Sequence, residues 1–279
     1  MKLLTILTAI TVAHVAAATP EFFVFDNGLT GIRPATTDAR LDLAKAAGFG
    51  GLSWRVDAPD QVKQVLAGAK QRGLKVYAIY ANLDLKDGKP VIDPRLDEII
   101  TLCKGSGALI WPTITSKDFK NSDPAGDDIA VAGLRELAGR CEVAGLRLAI
   151  YPHVGLWCHR VEDALRLVKK VDRPNVGLTF NLCHALMDGA EDRIPAVLEE
   201  VAPHLLIVSV NGADSHPTER NWQHLIQPLG QGSYDVGIVL KKLAAIGFIG
   251  PVGLQCFQVP GDPAVHLAAS LAAWRKLTE

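Results

Sequence analysis

Surplus charge is absent from this chain: 29 lysines and arginines against 30 aspartates and glutamates leave a formal net charge of -1 over 279 residues. A nucleic-acid partner needs a basic footprint, so that class is excluded. No basic amphipathic helix offers a landing face to a membrane surface. Cysteine is scarce. Cys103, Cys141, Cys158, Cys183 and Cys256 form no CxxC pair and no metal spacing. Cys103 and Cys141 fall on apolar helix faces, which makes buried free thiols the expectation. A Cys158–Cys183 disulfide is conceivable, since both residues follow adjacent strands, but is not expected. Phosphate-cradling loops are also missing: Gly230-Gln231-Gly232 is a turn with no Walker or dinucleotide fingerprint around it.

What is there is apolar. The chain is 48% hydrophobic and 21% charged, enough to bury one sizeable core. At the N-terminus Lys2 precedes an apolar run, Leu3 to Ala18, that closes on Ala16-Ala17-Ala18 before Thr19-Pro20. A short positive region, an apolar core and a small-residue zone predict a secretory signal peptide over residues 1–19. The expected domain is then residues 20–279, outside the cytoplasm as a secreted or periplasmic protein, with no membrane contact after cleavage.

Four helix-to-strand junctions share one device. Ala47-Gly48-Phe49, Arg72-Gly73-Leu74, Ala144-Gly145-Leu146 and Ile246-Gly247-Phe248 each close a helix on glycine and enter an apolar run. The runs are continuous, as expected for strands covered on both faces. They predict eight strands: Phe22–Phe25, Gly51–Trp54, Lys75–Tyr80, Ala108–Trp111, Leu146–Tyr151, Val176–Phe180, Leu205–Val210 and Val252–Gln255. Amphipathic helices alternate with them. Val161, Ala164, Leu165, Val168 and Val171 fall at helical spacing, and Asp262-Pro263 caps the last helix. The fold class expected is α/β, a single (β/α)8 TIM barrel. Three strand-to-helix connections, Asn82–Pro90, Ser116–Asp127 and Asn211–Ser233, read as long loops on the face where strands end.

Those strand ends carry Tyr151-Pro152-His153, Asn181-Leu182-Cys183-His184, Ser209-Val210-Asn211 and Gln255-Cys256. Together with Val176–Phe180 and Gly250–Leu254, these segments resemble the xylose-isomerase-like TIM barrels. That is the sugar phosphate isomerase/epimerase group, which shares its fold with the AP endonuclease 2 family. The resemblance covers most of the chain after the leader. It implies a divalent metal held by a glutamate ending the fifth barrel strand, an aspartate ending the sixth, a histidine ending the seventh and a glutamate ending the eighth. Matched position by position, this sequence offers Tyr151, Asn181, Ser209 (or its neighbour Asn211) and Gln255, while His184 is retained. Mg²⁺ and Mn²⁺ take anionic oxygen, so no cofactor is expected. The family's divalent metal stays open as Mn²⁺, Mg²⁺ or Zn²⁺; Zn²⁺ on His153 and His184 would lack an identified third ligand.

His153 and His184 come from adjacent strands and titrate near neutrality, so they are the candidate acid/base pair. Asn181, Asn211 and Gln255 suit sugar hydroxyls or a polarised carbonyl, and Tyr151 and Ser209 join them as substrate-binding candidates. Trp54 and Trp111 stand at strand ends, and Trp157 and Trp222 in or beside the mouth loops. Indoles there suit the apolar face of a sugar ring or plug the barrel end. Tyr80 and Asn82 close the third strand, and Arg55 and Asp57 follow the second. The function expected from the resemblance is a carbohydrate-directed isomerase or epimerase-like enzyme, moving a proton next to a carbonyl on a sugar or keto-sugar. A keto-sugar lyase and a non-catalytic sugar-binding barrel are the alternatives. The partner expected is a small-molecule carbohydrate; an oligomer is compatible with this reading, and DNA repair fits it least.

Overall fold

The computed structural model describes residues 19–31 and 34–279. The expected signal peptide lies outside the described residues, Thr19 excepted. The first half runs β1 (Phe22–Val24), α1 (Thr37–Ala47), β2 (Gly51–Trp54), α2 (Pro59–Gln71), β3 (Lys75–Lys86), β4 (Lys89–Ile92), α3 (Leu96–Leu102) and β5 (Leu109–Ser116). Next come α4 (Asp127–Val143), β6 (Arg147–Ile150), α5 (Val161–Val171), β7 (Val176–Asn181), α6 (Leu182–Met187) and α7 (Ile194–Val201). The chain finishes with β8 (Leu205–Val210), α8 (Trp222–Leu225), α9 (Gly237–Ala245), β9 (Val252–Leu254) and α10 (Pro263–Thr278).

Eight strands pair in parallel around a closed ring, β1–β2–β3–β5–β6–β7–β8–β9 and back to β1. This is the expected barrel. The glycine junctions explain why its helices stop where they do. Gly48, Gly73, Gly145 and Gly247 have φ of 91°, 66°, 69° and 68°, the left-handed region that costs glycine little. Asp262 caps α10, its side chain accepting from the Ala264 amide at 2.9 Å. All five cysteines are free and buried, as their apolar surroundings suggested.

One connection departs from expectation. Residues 82–90 are not a loop: β3 continues to Lys86, turns through Asp87-Gly88 and pairs antiparallel with β4. Both turn residues have positive φ, 51° and 71°, as a two-residue hairpin needs. Leu83 and Leu85 alternate into the core while Asn82 and Lys86 face solvent, a period-two pattern that rewards a strand.

Apolar side chains form two layers. Outward-facing strand residues pack under the helices; Phe22 stacks on Trp274 of α10 at 4.1 Å between ring centroids. Inward-facing residues fill the barrel with rings: Phe23, Phe25, Tyr77, Trp111 and Tyr151. Phe23 stacks on Tyr77 at 4.8 Å, and Trp111 meets Tyr151 edge-on at 4.7 Å. Each such buried side chain contributes about 1.5–3 kcal/mol. Gly253 makes room for them, because a Cβ there would come 2.4 Å from Phe23 and 2.5 Å from Phe25. The rings plug the interior and form the floor of the open end.

Candidate active site

Above that floor, a cavity of about 850 Å³ opens at the carboxyl ends of the strands, within the range of roughly 300–1,000 Å³ usual for ligand clefts. Its chemistry divides into two walls.

The wall built by β6 and β7 holds the histidines. His153 follows β6 and His184 lies in the first turn of α6, so adjacent parallel strands deliver both to one place. Their ring centroids are 4.0 Å apart. His153 Nδ1 lies 2.8 Å from the Val154 carbonyl. A carbonyl only accepts, so Nδ1 carries the proton and Nε2 is a free lone pair. His184 is 8% exposed; its Nε2 lies 3.4 Å from the Tyr151 hydroxyl, and its Nδ1 is buried without a partner. Burial lowers the pKa of both imidazoles from their ordinary value, that of His184 well below it, with His153 adding to the shift on His184. Both are neutral bases near pH 7. Tyr151 and Tyr80 line the same cavity, and burial holds both phenols well above their usual pKa. Trp222, the first residue of α8, stands edge-on to His184 at 5.4 Å.

The wall built by β1 and β2 holds an ion pair. Asp26 Oδ2 accepts from Arg55 Nε and Nη2, both at 2.8 Å. Burial raises the Asp26 pKa and Arg55 opposes that shift. Asn27 reaches from the same wall to Gln255, whose Oε1 also accepts from the Cys256 and Phe257 amides at 2.9 and 3.1 Å.

Tyr80, Tyr151, His153, His184 and Gln255 are therefore brought together, with Trp222 and Arg55 beside them. The remaining expected residues do not line the cavity, though Asn181 stands directly behind Tyr151. Trp54 lies on the outward phase of β2, buried under the helices with its Nε1 donating to Asp57 at 3.2 Å. Trp111 is part of the floor, donating to Thr179 Oγ1. Trp157 is buried behind the wall, its Nε1 donating to the Asp123 carbonyl at 3.2 Å. Asn211 ties down its own loop through the Gly212 and Leu225 carbonyls at 2.7 and 2.8 Å. Ser209 is fully buried in β8, its hydroxyl unpartnered. Asn181 is buried, donating Nδ2 to the Tyr151 hydroxyl and accepting Cys183 Sγ–H at 3.1 Å. Asn82 bonds Thr113 and Thr115 on β5. Sequence reasoning missed Asp26, Asn27 and Phe257; the signal for Asp26 was its place directly after the Phe22–Phe25 run.

The family model for xylose isomerase-like TIM barrels matches residues 41–277. This chain belongs to that family. Among curated proteins, a 3-dehydroshikimate dehydratase of Pseudomonas aeruginosa is 32% identical over 147 residues, 49% of this chain and 22% of the relative. The chain thus spans about a fifth of that relative's length. Two solved structures share the fold. A 3-keto-D-glucoside 4-epimerase from E. coli aligns at TM-score 0.72 and 19% identity, covering 92% of this chain and 99% of the other. A D-allulose 3-epimerase from Methylomonas sp. aligns at 0.73 and 16%, covering 93% and 98%.

At the four positions where the xylose isomerase-like resemblance implies a cation, the donors present do not fit one. Tyr151, Asn181, Ser209 and Gln255 carry no charge. Gln255 Oε1 already takes three N–H groups, and Asn181 turns its N–H, not its oxygen, toward Tyr151. Among the described residues no three His, Cys, Asp or Glu side chains are grouped to hold a metal. A hard dication needs anionic or free oxygen to offset its dehydration.

Proposed function

We propose that this cavity binds an uncharged sugar or keto-sugar and moves a proton at the carbon next to its carbonyl, without a divalent metal. The observation that carries the reading is the pairing of His153 and His184 as neutral imidazoles at 4.0 Å on the cavity wall. His153 Nε2 takes the proton. The C–H electron pair becomes a C=C bond, and the carbonyl π pair moves onto oxygen. His184, packed against His153, shares the proton and returns it: to the other face of the same carbon for an epimer, or to the former carbonyl carbon for an isomer. In the second case the hydroxyl proton of the enediolate passes to the former carbonyl oxygen as the new C=O forms.

The ligand class follows from the walls. Among the described residues the charged groups lining the cavity are Asp26 and Arg55, which pair with each other, and this favours an uncharged ligand over a phosphorylated one. Trp222 and Phe257 offer ring faces to the apolar side of a sugar. The names of the two structural neighbours, a keto-glucoside epimerase and an allulose epimerase, agree with this choice. The dehydratase likeness supports a second reading, in which the same carbanion expels a β-oxygen and the enzyme is a lyase. The apolar leader over residues 1–19 supports action outside the cytoplasm.

Incubation in D₂O with a 3-keto-D-glucoside, D-allulose and 3-dehydroshikimate, followed by proton NMR, tests the proposal. Deuterium entering the carbon next to the carbonyl is expected. His153→Ala and His184→Ala should each lose about 10²–10⁴-fold in rate, with Tm held within a few degrees. Full activity in both variants overturns the histidine chemistry. Binding without exchange makes the chain a sugar-binding barrel.

A further inference from the structure

We infer that the Tyr151 hydroxyl, set by the Asn181 amide, donates the hydrogen bond that holds the developing oxyanion at the place where the family keeps a metal. The inference rests on the proton-transfer reading above and names the group that takes the cation's part.

Tyr151 follows β6 at the position the resemblance matches to a metal-ligating glutamate. It is 2% exposed, yet it borders the cavity. Its ring is clamped edge-on by Trp111 at 4.7 Å and by Tyr80 at 5.7 Å, so the hydroxyl cannot swing away. What that oxygen can do is set by its neighbours. Asn181 Nδ2 donates to it, and the Asn181 amide cannot be flipped without losing Cys183 Sγ–H on its oxygen. The Gln255 amide lies against the same hydroxyl; its oxygen is committed to main-chain N–H groups. The Asn181 and Gln255 amides and the Tyr80 hydroxyl therefore crowd the phenolic oxygen with donors, and what it has left to give is its proton.

The Tyr80 hydroxyl lies against this oxygen as a donor to it, and the imidazole acceptor facing the Tyr151 proton is His184 Nε2, at 3.4 Å, beyond the roughly 2.7–3.2 Å of a formed bond. A ligand carbonyl entering between Tyr151 and the histidines would take it. Amides donating into the phenol polarise its O–H and strengthen the bond it gives. The balance closes without a co-reactant. The proton leaves carbon for His153 Nε2, the carbonyl π pair settles on oxygen, and Tyr151 keeps its proton while hydrogen-bonding that oxygen. Collapse of the enolate returns the proton from the imidazole pair. Burial keeps the phenol protonated throughout, which is what a donor needs and what a metal-ligating phenolate would lack.

Tyr151→Phe removes only the oxygen and leaves the ring packing. The expected result is a kcat lower by about 10²–10³-fold, the size of one lost oxyanion donor, with KM changed little and Tm retained. A second measurement does not depend on turnover. In the His153→Ala background, a 3-keto-D-glucoside labelled with ¹³C at its carbonyl should bind with its carbonyl resonance moved downfield. Adding Tyr151→Phe should abolish that movement. A bound ketone whose resonance ignores Tyr151→Phe overturns this assignment and leaves the proton-transfer reading standing. Activity lost to a chelator and restored by Mn²⁺ overturns it as well, by placing a cation on that oxygen. If the wild-type protein neither binds nor exchanges any of the three probes, the proton-transfer reading falls, and Tyr151's role falls with it.

Discussion

The two walls of the cavity manage charge in opposite ways. On the β1–β2 side, the Asp26 carboxyl is paired with the Arg55 guanidinium, and the arginine side chain keeps 45% of its surface in solvent. On the β6–β7 side, Tyr151, Asn181 and His184 are buried and His153 half-buried, and burial shifts Tyr151, His153 and His184 toward their uncharged forms. Arg55 is screened by water, whereas Tyr151, Asn181 and His184 have little of it. The charged wall suits recognition, where a fixed carboxylate–guanidinium pair meets hydroxyl groups. The neutral wall suits chemistry, since charge that appears only during reaction is felt most strongly where the medium is driest.

Three experiments sharpen that division, beginning with the largest expected effect. Asn181→Asp puts a carboxylate into the dry wall. The Tyr151 proton should turn to it and be lost to the ligand, costing about 10²–10³-fold in kcat. The same carboxyl is held neutral by burial at low pH and must ionise or remain strained at high pH. Its destabilisation should therefore grow as pH rises through the ordinary carboxylate range, and Tm at neutral pH should fall further than Tm at about pH 4. Unchanged kcat would mean that the wall's neutrality is incidental.

Arg55→Ala breaks the wet wall instead. It should raise KM by about tenfold, the worth of one hydrogen bond to a charged group, while kcat stays near the wild-type value. A collapse of kcat would place Arg55 in the chemistry and dissolve the distinction between the walls.

The smallest effect is a pH dependence of stability. The folded chain keeps His153 and His184 neutral where the unfolded chain already binds protons. That stability is complete above the unfolded value of about 6.5 and is lost as pH falls below it. The urea midpoint should decline from about pH 7 to about pH 5, and His184→Gln should flatten the slope. An equal slope in the variant would mean His184 is not buried as described.

Much of the barrel was legible because its signals are local and repeated. A glycine that closes a helix and an apolar run behind it need no knowledge of distant contacts, and Gly48, Gly73, Gly145 and Gly247 all behave as read. The hairpin after Tyr80 carries signals of its own, Asp87-Gly88 and the alternation of Leu83 and Leu85, yet the length of Asn82–Pro90 between strand and helix reads as a long loop, and the structure corrects it. The histidine pair and its neutral neighbours could be placed from strand ends alone. Side-chain phase could not. Trp54 and Ser53 are adjacent, and only the register of β2 against β1 and β3 decides that the serine faces inward and the tryptophan out. Asn211 presents a similar limit, since its partners Gly212 and Leu225, the latter closing α8, are brought to it by a connection whose path no local pattern dictates. Asp26 carries no such mark, because it stands behind the first strand while the resembling motifs sit at the later strand ends.

The bond between His153 and the Val154 carbonyl carries an implication for how this site can change. A side-chain anchor can be swapped by a single substitution, but a peptide oxygen is common to all twenty residues. The imidazole's lone pair therefore keeps its direction through drift in the surrounding sequence, and only a rebuilt backbone after β6 would turn it elsewhere.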